Sequence, residues 1–236
     1  MNGSRTVTQI CAWAGCVLLL SLAFSQAIAA EAGSPPDPTW RTTVNNFARE
    51  KFRHPAWGYS HAVRDYRLAR ALAAEDHVAI DDDVLYAAAY LHDMAAFAPW
   101  DREKEGIDHA DEAARVVDTV LRGTGFPMAK IDAVRAAITT HMYERTPTGA
   151  EARYLHDADA LDWLGAIGVV RTIALIDSSG GDPDGPKAVA MLKDYLTTVP
   201  PRVFTTAGKR RLPVRRAELA TFLRNLDRES DSLAAL

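Results

Sequence analysis

His61, His92, Asp93, His109, His141 and Asp159 constrain the fold of this chain more than any other feature. Between them lie gaps of 31, 16, 32 and 18 residues, with His92 and Asp93 adjacent. Each gap is about a helix and a turn, or a helical hairpin. A local zinc finger draws its ligands from closely spaced pairs, whereas these side chains meet only if four or five segments fold back on one centre. His offers a neutral nitrogen and Asp an anionic oxygen, a mixture suited to Mn, Fe, Zn, Ni or Co rather than to Ca. The His92-Asp93 dipeptide ends an Ala-rich helical stretch, Val84 to Met94. One helix aims adjacent residues at one point only when that point lies beside its backbone, and a metal ion is the usual reason. The series is enough for one metal with spare partners, or for two.

The apolar spacing is helical almost throughout and contains no strand-period run of length. It predicts helices over Trp40 to Phe52 and His61 to Ala74, and a third that starts at Asp81-Asp82-Asp83, where the helix dipole favours carboxylates, and runs to His92. A fourth starts near Asp108 and is ended by Gly123, Gly125 and Pro127. A fifth, Lys130 to Tyr143, carries His141. A sixth holds Asp159 and continues towards Ile176. After a turn-rich loop at 178–186, two more helices run over Lys187 to Thr197 and Pro213 to Asp227. The expected fold class is all-α, a helical bundle with a central metal site.

The first thirty residues differ from the rest. Arg5 is their only charge, Ile10 to Phe24 is uncharged and apolar, and Ala27-Ile28-Ala29 reads as a cleavage site. This is the pattern of a secretory signal peptide. The expected boundaries are a signal peptide at 1–29, a spacer at 30–39, one domain at 40–228 and a tail at 229–236. The expected location is periplasmic or secreted. The alternative is an uncleaved leader anchoring the chain in a membrane, although Thr8, Gln9, Ser21 and Gln26 dilute a stretch that would need about 20 mostly apolar residues. Both cysteines, Cys11 and Cys16, fall in the leader, so the mature chain has neither a disulfide nor a thiol ligand. The net charge of −4 falls to −5 when Arg5 is removed, which argues against binding nucleic-acid polymers. The basic run Lys209 to Arg216 reads as a solvated loop and helix start with its Arg stems packed over the bundle.

Gly58-Tyr-Ser-His-Ala-Val-Arg64, Tyr90-Leu-His-Asp-Met94 and His156-Asp-Ala-Asp-Ala-Leu-Asp162 together resemble the HD-domain superfamily of metal-dependent phosphohydrolases. Leu164 to Arg171 is similar to its branch of small standalone hydrolases. The resemblance covers about residues 41 to 228. It implies His61, His92, Asp93 and Asp159 as the basic ligand set, with Asp93 able to bridge two ions and His109 and His141 completing a second site. It also implies one or two divalent ions (Mn, Fe, Co, Ni, Zn or Mg) and a small phosphorylated partner. A bound ion of this kind lowers the pKa of water towards ~7 and holds a phosphate oxygen.

The catalytic candidates are Asp93, His109 and His141. Arg64, Lys104, Arg145 and Arg171 are the candidates for contacting substrate. Asp162 is expected to orient a ligand or pair with a basic group, and Asp157 to face the rim. His54, His77 and His156 read as structural or surface groups, His156 being close enough in sequence to support a ligand. Many relatives carry Lys or Glu three residues after the motif Asp, where this chain has Ala96. Proton donation then falls to His109, His141, Lys104 or solvent. Ala160 stands where deoxynucleotide-cleaving relatives place a basic residue.

The expected activity is hydrolysis of a phosphate ester or anhydride, nucleotides among the candidates. Two alternatives are a di-iron oxygenase using the same six ligands and a non-catalytic metal- or ligand-binding module.

Overall fold

Asp81-Asp82-Asp83 opens the helix around which the others are arranged. In the computed structural model, which describes residues 39–176 and 184–233, this helix is α3, Asp82–Leu91. The expected signal peptide, the spacer up to residue 38 and most of the loop at 178–186 lie outside the described residues. The Asp81 side chain caps α3, accepting from the backbone N–H groups of Asp83 and Val84 at 3.0 and 3.4 Å, and so satisfies donors that the first turn leaves free. Every residue from Val84 to Leu91 is buried. A helix apolar on all sides belongs inside a bundle.

Three neighbours clasp the acidic start of α3. Arg41 of α1 (Thr39–Lys51) donates to Asp82 and Asp83 at 2.8 and 2.7 Å. Lys130, just ahead of α5 (Ile131–Thr139), donates to Asp81 and Asp83 at 2.8 and 2.9 Å. Glu151 of α6 (Ala150–Asp162) accepts the Asp81 backbone N–H at 2.7 Å. Burial opposes ionisation of Asp81 and Asp83, but the bonds from Lys130 outweigh it and hold both carboxyls below their ordinary range. A carboxyl with a depressed folded pKa adds stability that is complete above its unfolded value of about 3.9 and is lost as pH falls through the folded value. Lys130→Ala should therefore cost about 1 kcal/mol at neutral pH, the partners being about one-third exposed. It should also flatten the acid-side loss of stability. Urea midpoints of both proteins from neutrality to about pH 3 check this, and identical pH profiles would contradict it.

α2 (Tyr59–Glu75) lies along α6 and against α3, and α4 (His109–Leu121) packs on α5. Leu72, Leu85, Leu91, Leu155 and Leu161 are fully buried between these helices. α7 (Gly165–Ile173), α8 (Gly185–Thr198) and α9 (Thr206–Glu229) pack together beside them. Among the described residues there are nine α-helices and four single-turn 3-10 segments, and no strand. No helix among them is long and apolar enough to cross a membrane.

Three boundaries differ from those the spacing predicts. The sixth helix stops at Asp162, because Gly165 takes a left-handed φ of +67° and starts α7 in a new direction. α5 ends at Thr139, so His141 stands on the segment beyond it. There Thr140 donates its hydroxyl to the Ala136 carbonyl at 2.8 Å and Arg145 takes the Thr139 carbonyl at 2.7 Å, both competing with continuation of the helix. α9 begins at Thr206 and runs through Pro213. Its N-cap is Thr205, whose hydroxyl accepts from Gly208 N–H at 3.0 Å. The carbonyl that Pro213 cannot serve belongs to Lys209, an exposed residue, where water can take its place.

Candidate metal centre

Gly58 caps the start of α2 and so places His61 at the centre. A Cβ there would come 2.5 Å from the Phe52 carbonyl oxygen and 2.3 Å from that of His54, so only glycine allows α2 to start this close to the preceding turn. His61 then points from the first turn of α2, His92 caps the C-terminus of α3, Asp93 follows it, and Asp159 comes from the last turn of α6.

The donor atoms of His61, His92 and Asp93 lie within 4.8 Å of one another, and so do those of Asp93, His109 and His141. Asp93 belongs to both groups. Its Oδ2 is 3.5 Å from His61 Nε2 and 3.2 Å from His92 Nε2. Its Oδ1 is 3.3 Å from His109 Nε2 and 3.5 Å from His141 Nε2. Asp159 Oδ1 lies 3.3 Å from His61 Nε2. The fold thus brings together all six residues of the series.

Which ring nitrogen carries the proton follows from the outer partners. His92 Nδ1 donates to the Ala89 carbonyl at 2.9 Å, His141 Nδ1 to the Ile138 carbonyl at 2.7 Å, and His61 Nδ1 to Asp162 at 3.0 Å. Each leaves Nε2 as the lone-pair nitrogen, the arrangement that metal-binding histidines use. Arg171 agrees with this for His61, since its Nη2 approaches Nε2 at 3.3 Å as a donor. The Nε2 atoms of His61 and His92 face each other at 3.2 Å among carboxylate oxygens. Two lone pairs so placed repel unless a cation lies between them.

The spacing fits such an ion. Metal–ligand bonds of about 2.1 Å put neighbouring donors about 3.0 Å apart in an octahedron and about 3.4 Å apart in a tetrahedron, and the separations around His61 Nε2 run from 3.1 to 3.5 Å.

The electrostatics are those of a cation site. Burial raises the cost of charge on Asp93, but His92, His109 and His141 hold its carboxyl well below the ordinary range. Burial opposes ionisation of Asp159 as well, and contacts with His61 and Arg171 override it. Asp162 is held at about 2 against the same cost of burial, by His61 and Arg64. Burial lowers the pKa of His141. His109 is raised, its bond to Asp93 outweighing burial.

The centre opens into a cavity of about 620 Å³. Asp93, His109, His141, Asp159 and Arg171 stand on its wall beside Trp57, Tyr143, Trp163 and Tyr195. Arg171 is buried, with its guanidinium carbon 3.7 Å over Trp163, and it donates to the Ala56 carbonyl at 2.8 Å and to Asp159 at 3.2 Å. The other three expected substrate contacts are placed differently. Arg64 turns to Asp162 at 2.8 Å and does not line the cavity. Arg145 is held by Asp108, Asp111 and the Thr139 carbonyl. Lys104 is exposed on a 3-10 turn whose Glu103 lines the cavity, but it is not itself among the lining residues. The rim instead carries Asp101, Glu103, Asp108 and Glu144.

Asp162 meets both expectations, orienting His61 and pairing with Arg64. Asp157 does not face the rim. It is fully buried and accepts from Phe204 N–H at 2.9 Å, from Thr205 N–H at 2.6 Å and from the Thr205 hydroxyl at 2.6 Å. The two-residue offset from Asp159 turns it across α6 towards the start of α9, where it anchors the α9 cap. His156 is buried against Asp157 and Phe204, outside the centre. Sequence reasoning passed over Asp65, which lies 3.1 Å from His61 Nε2. Its spacing of four from His61 was a readable signal, since such residues share a helix face.

Residues 58–164 match the family described as HD domain. Curated proteins provide no match. Among solved structures, a predicted HD superfamily hydrolase from an uncultured Thermotogales bacterium is 25% identical, with 79% of this chain and 90% of that one covered and a TM-score of 0.56. Bacillus subtilis YpgQ in complex with ADP is 19% identical, with 80% and 97% covered and a TM-score of 0.60. An HD-superfamily hydrolase from Bacillus thuringiensis is 20% identical, with 82% and 95% covered and a TM-score of 0.55. The matched segment runs from the glycine that caps α2 to Leu164, two residues beyond α6, and contains every residue of the six-member series; over that segment this chain matches the HD-domain family.

Proposed function

We propose that this protein is a divalent-metal-dependent phosphohydrolase that cleaves a phosphate ester or anhydride of a small molecule. The observation that carries this reading is the pair of lone-pair nitrogens, His61 Nε2 and His92 Nε2, facing each other at 3.2 Å among the carboxylates of Asp93 and Asp159. That donor set suits one divalent cation, and Asp93, with His109 and His141 on its other oxygen, suits a second. Such ions supply Lewis acidity and a water that ionises near neutral pH.

The chain's own residues fix the rest. Asp162 and the carbonyls of Ala89 and Ile138 hold three imidazoles in one tautomer. Arg171 holds Asp159 in place and is the one arginine or lysine on the described cavity wall, so a phosphate there would meet Arg171 rather than a lysine patch. Trp57, Tyr143, Trp163 and Tyr195 offer flat apolar surface to an organic leaving group. The cavity is of the size that holds a nucleotide-scale ligand, and YpgQ, of the same fold, was crystallised with ADP. His109 and His141 are the imidazoles on the wall that could hold or hand over a proton.

Purified protein loaded in turn with Mn, Co, Ni and Mg should release phosphate from some member of a phosphorylated-metabolite panel, and lose that activity on chelation. Failure with every ion, together with oxygen uptake by iron-loaded protein, would replace this reading with the oxygenase one. The leader supports export to the periplasm or beyond. Native protein should then begin near Ala30, and an intact Met1 would contradict export.

A further inference from the structure

Asp65 stands one turn after His61 on the same face of α2, and its side chain is fully buried. Neither of its carboxylate oxygens has a hydrogen-bond partner. Buried carboxylates are found paired or on metals, because leaving one uncompensated is costly. Oδ2 lies 3.1 Å from His61 Nε2 and 3.8 Å from His92 Nε2. Asp162 and the Ala89 carbonyl already engage the Nδ1–H groups of these rings, so each Nε2 turns its lone pair towards the Asp65 carboxyl. Neither nearby arginine hydrogen-bonds Asp65: Arg64 pairs with Asp162, and Arg171 donates to Asp159, to the Ala56 carbonyl and to His61 Nε2. Were all four ionised, Asp65, Asp93, Asp159 and Asp162 would carry four negative charges against the two positive charges of Arg64 and Arg171 around this point. One divalent cation closes that difference.

We infer that Asp65 is a further protein ligand of the cation held by His61, His92, Asp93 and Asp159, so that α2 contributes a His-Asp chelate four residues apart. The inference rests on the metal-dependent reading above. Its distances match those of the other donors, since 3.1 and 3.8 Å fall among or just beyond the separations already described. Two nitrogens with three carboxylates make a donor set richer in hard oxygen than a four-coordinate zinc site uses, and such a set favours Mn or Mg.

The test uses the full chain, stripped with chelator, as wild type, Asp65→Asn and Asp65→Leu. Each is titrated with Mn²⁺ by calorimetry and melted with and without it. Without metal, both variants should melt at or above the wild-type temperature, because an unpartnered buried carboxylate has gone. With Mn²⁺, the wild type should gain melting temperature and the variants little, and their Kd should weaken at least about tenfold. A purely structural carboxylate would give the opposite pattern: variants that melt lower or fail to fold without metal, which would overturn the inference. Mn²⁺ affinity within about twofold of wild type in both variants would overturn it too, while leaving the metal centre intact. A wild type that takes up no Mn²⁺ would overturn this inference and the metal-dependent reading together.

Discussion

Asp93→Ala will leave the protein folded, strip it of bound metal and reduce phosphate release to background. Asp93 is the one residue that faces both halves of the centre, Oδ2 towards His61 and His92 and Oδ1 towards His109 and His141. Losing an outer partner of a metal ligand costs roughly 10–100-fold in affinity or activity, and losing a bridging ligand should exceed that range. The fold should survive. Asp93 sits on a turn after α3, with its side chain 12% exposed, and is not part of the apolar core. Metal analysis, far-ultraviolet circular dichroism and a phosphate assay on one preparation decide the matter. Wild-type metal content in a folded Asp93→Ala protein would contradict the account.

The double replacement His109→Ala with His141→Ala should halve the metal content and leave the remaining ion as tightly bound as before. The carboxylate oxygen these two rings pair with is Asp93 Oδ1, whereas His61, His92 and Asp159 form the other side of the centre. His141 Nδ1 is engaged by the Ile138 carbonyl, so its Nε2 has no task in the fold apart from the centre. His109, at the start of α4, has a side chain 32% exposed and lines the cavity. Calorimetric titration of stripped protein should show two events in wild type and one in the double variant. Unchanged stoichiometry would mean a single ion, and would leave the two histidines as proton carriers on the wall.

The helices were legible because burial follows a 3.6-residue period wherever a helix has one wet face, as in α4, where Ala113, Val116, Val117 and Leu121 are buried and Arg115 and Arg122 are exposed. The six candidate ligands were legible for a different reason. His and Asp at hairpin-length gaps converge only in a bundle, whatever the helix limits turn out to be. Position near an element's end was harder to read. His141 stands past α5 because Thr140 and Arg145 take carbonyls the helix would have used, a competition that depends on Arg145 arriving from the following turn. Asp157 and Asp159 look alike in the sequence Asp-Ala-Asp, but they face opposite sides of α6. One meets the Thr205 cap of α9 and the other meets His61. Only the placement of a helix almost fifty residues downstream separates them.

The basic side chains misled for a related reason. Arg64, Lys104 and Arg145 were candidates by proximity in sequence, but local acids claim Arg64 and Arg145, and Lys104 points to solvent. Arg171 reaches the cavity because the left-handed Gly165 redirects α7.

Diffraction from crystals soaked in Mn²⁺, recorded where manganese scatters anomalously, addresses the central claim most directly. The account predicts a peak bounded by His61, His92, Asp93 and Asp159, and a second on the far side of Asp93 beside His109 and His141. Well-ordered crystals with no anomalous peak inside this ring of side chains would contradict it.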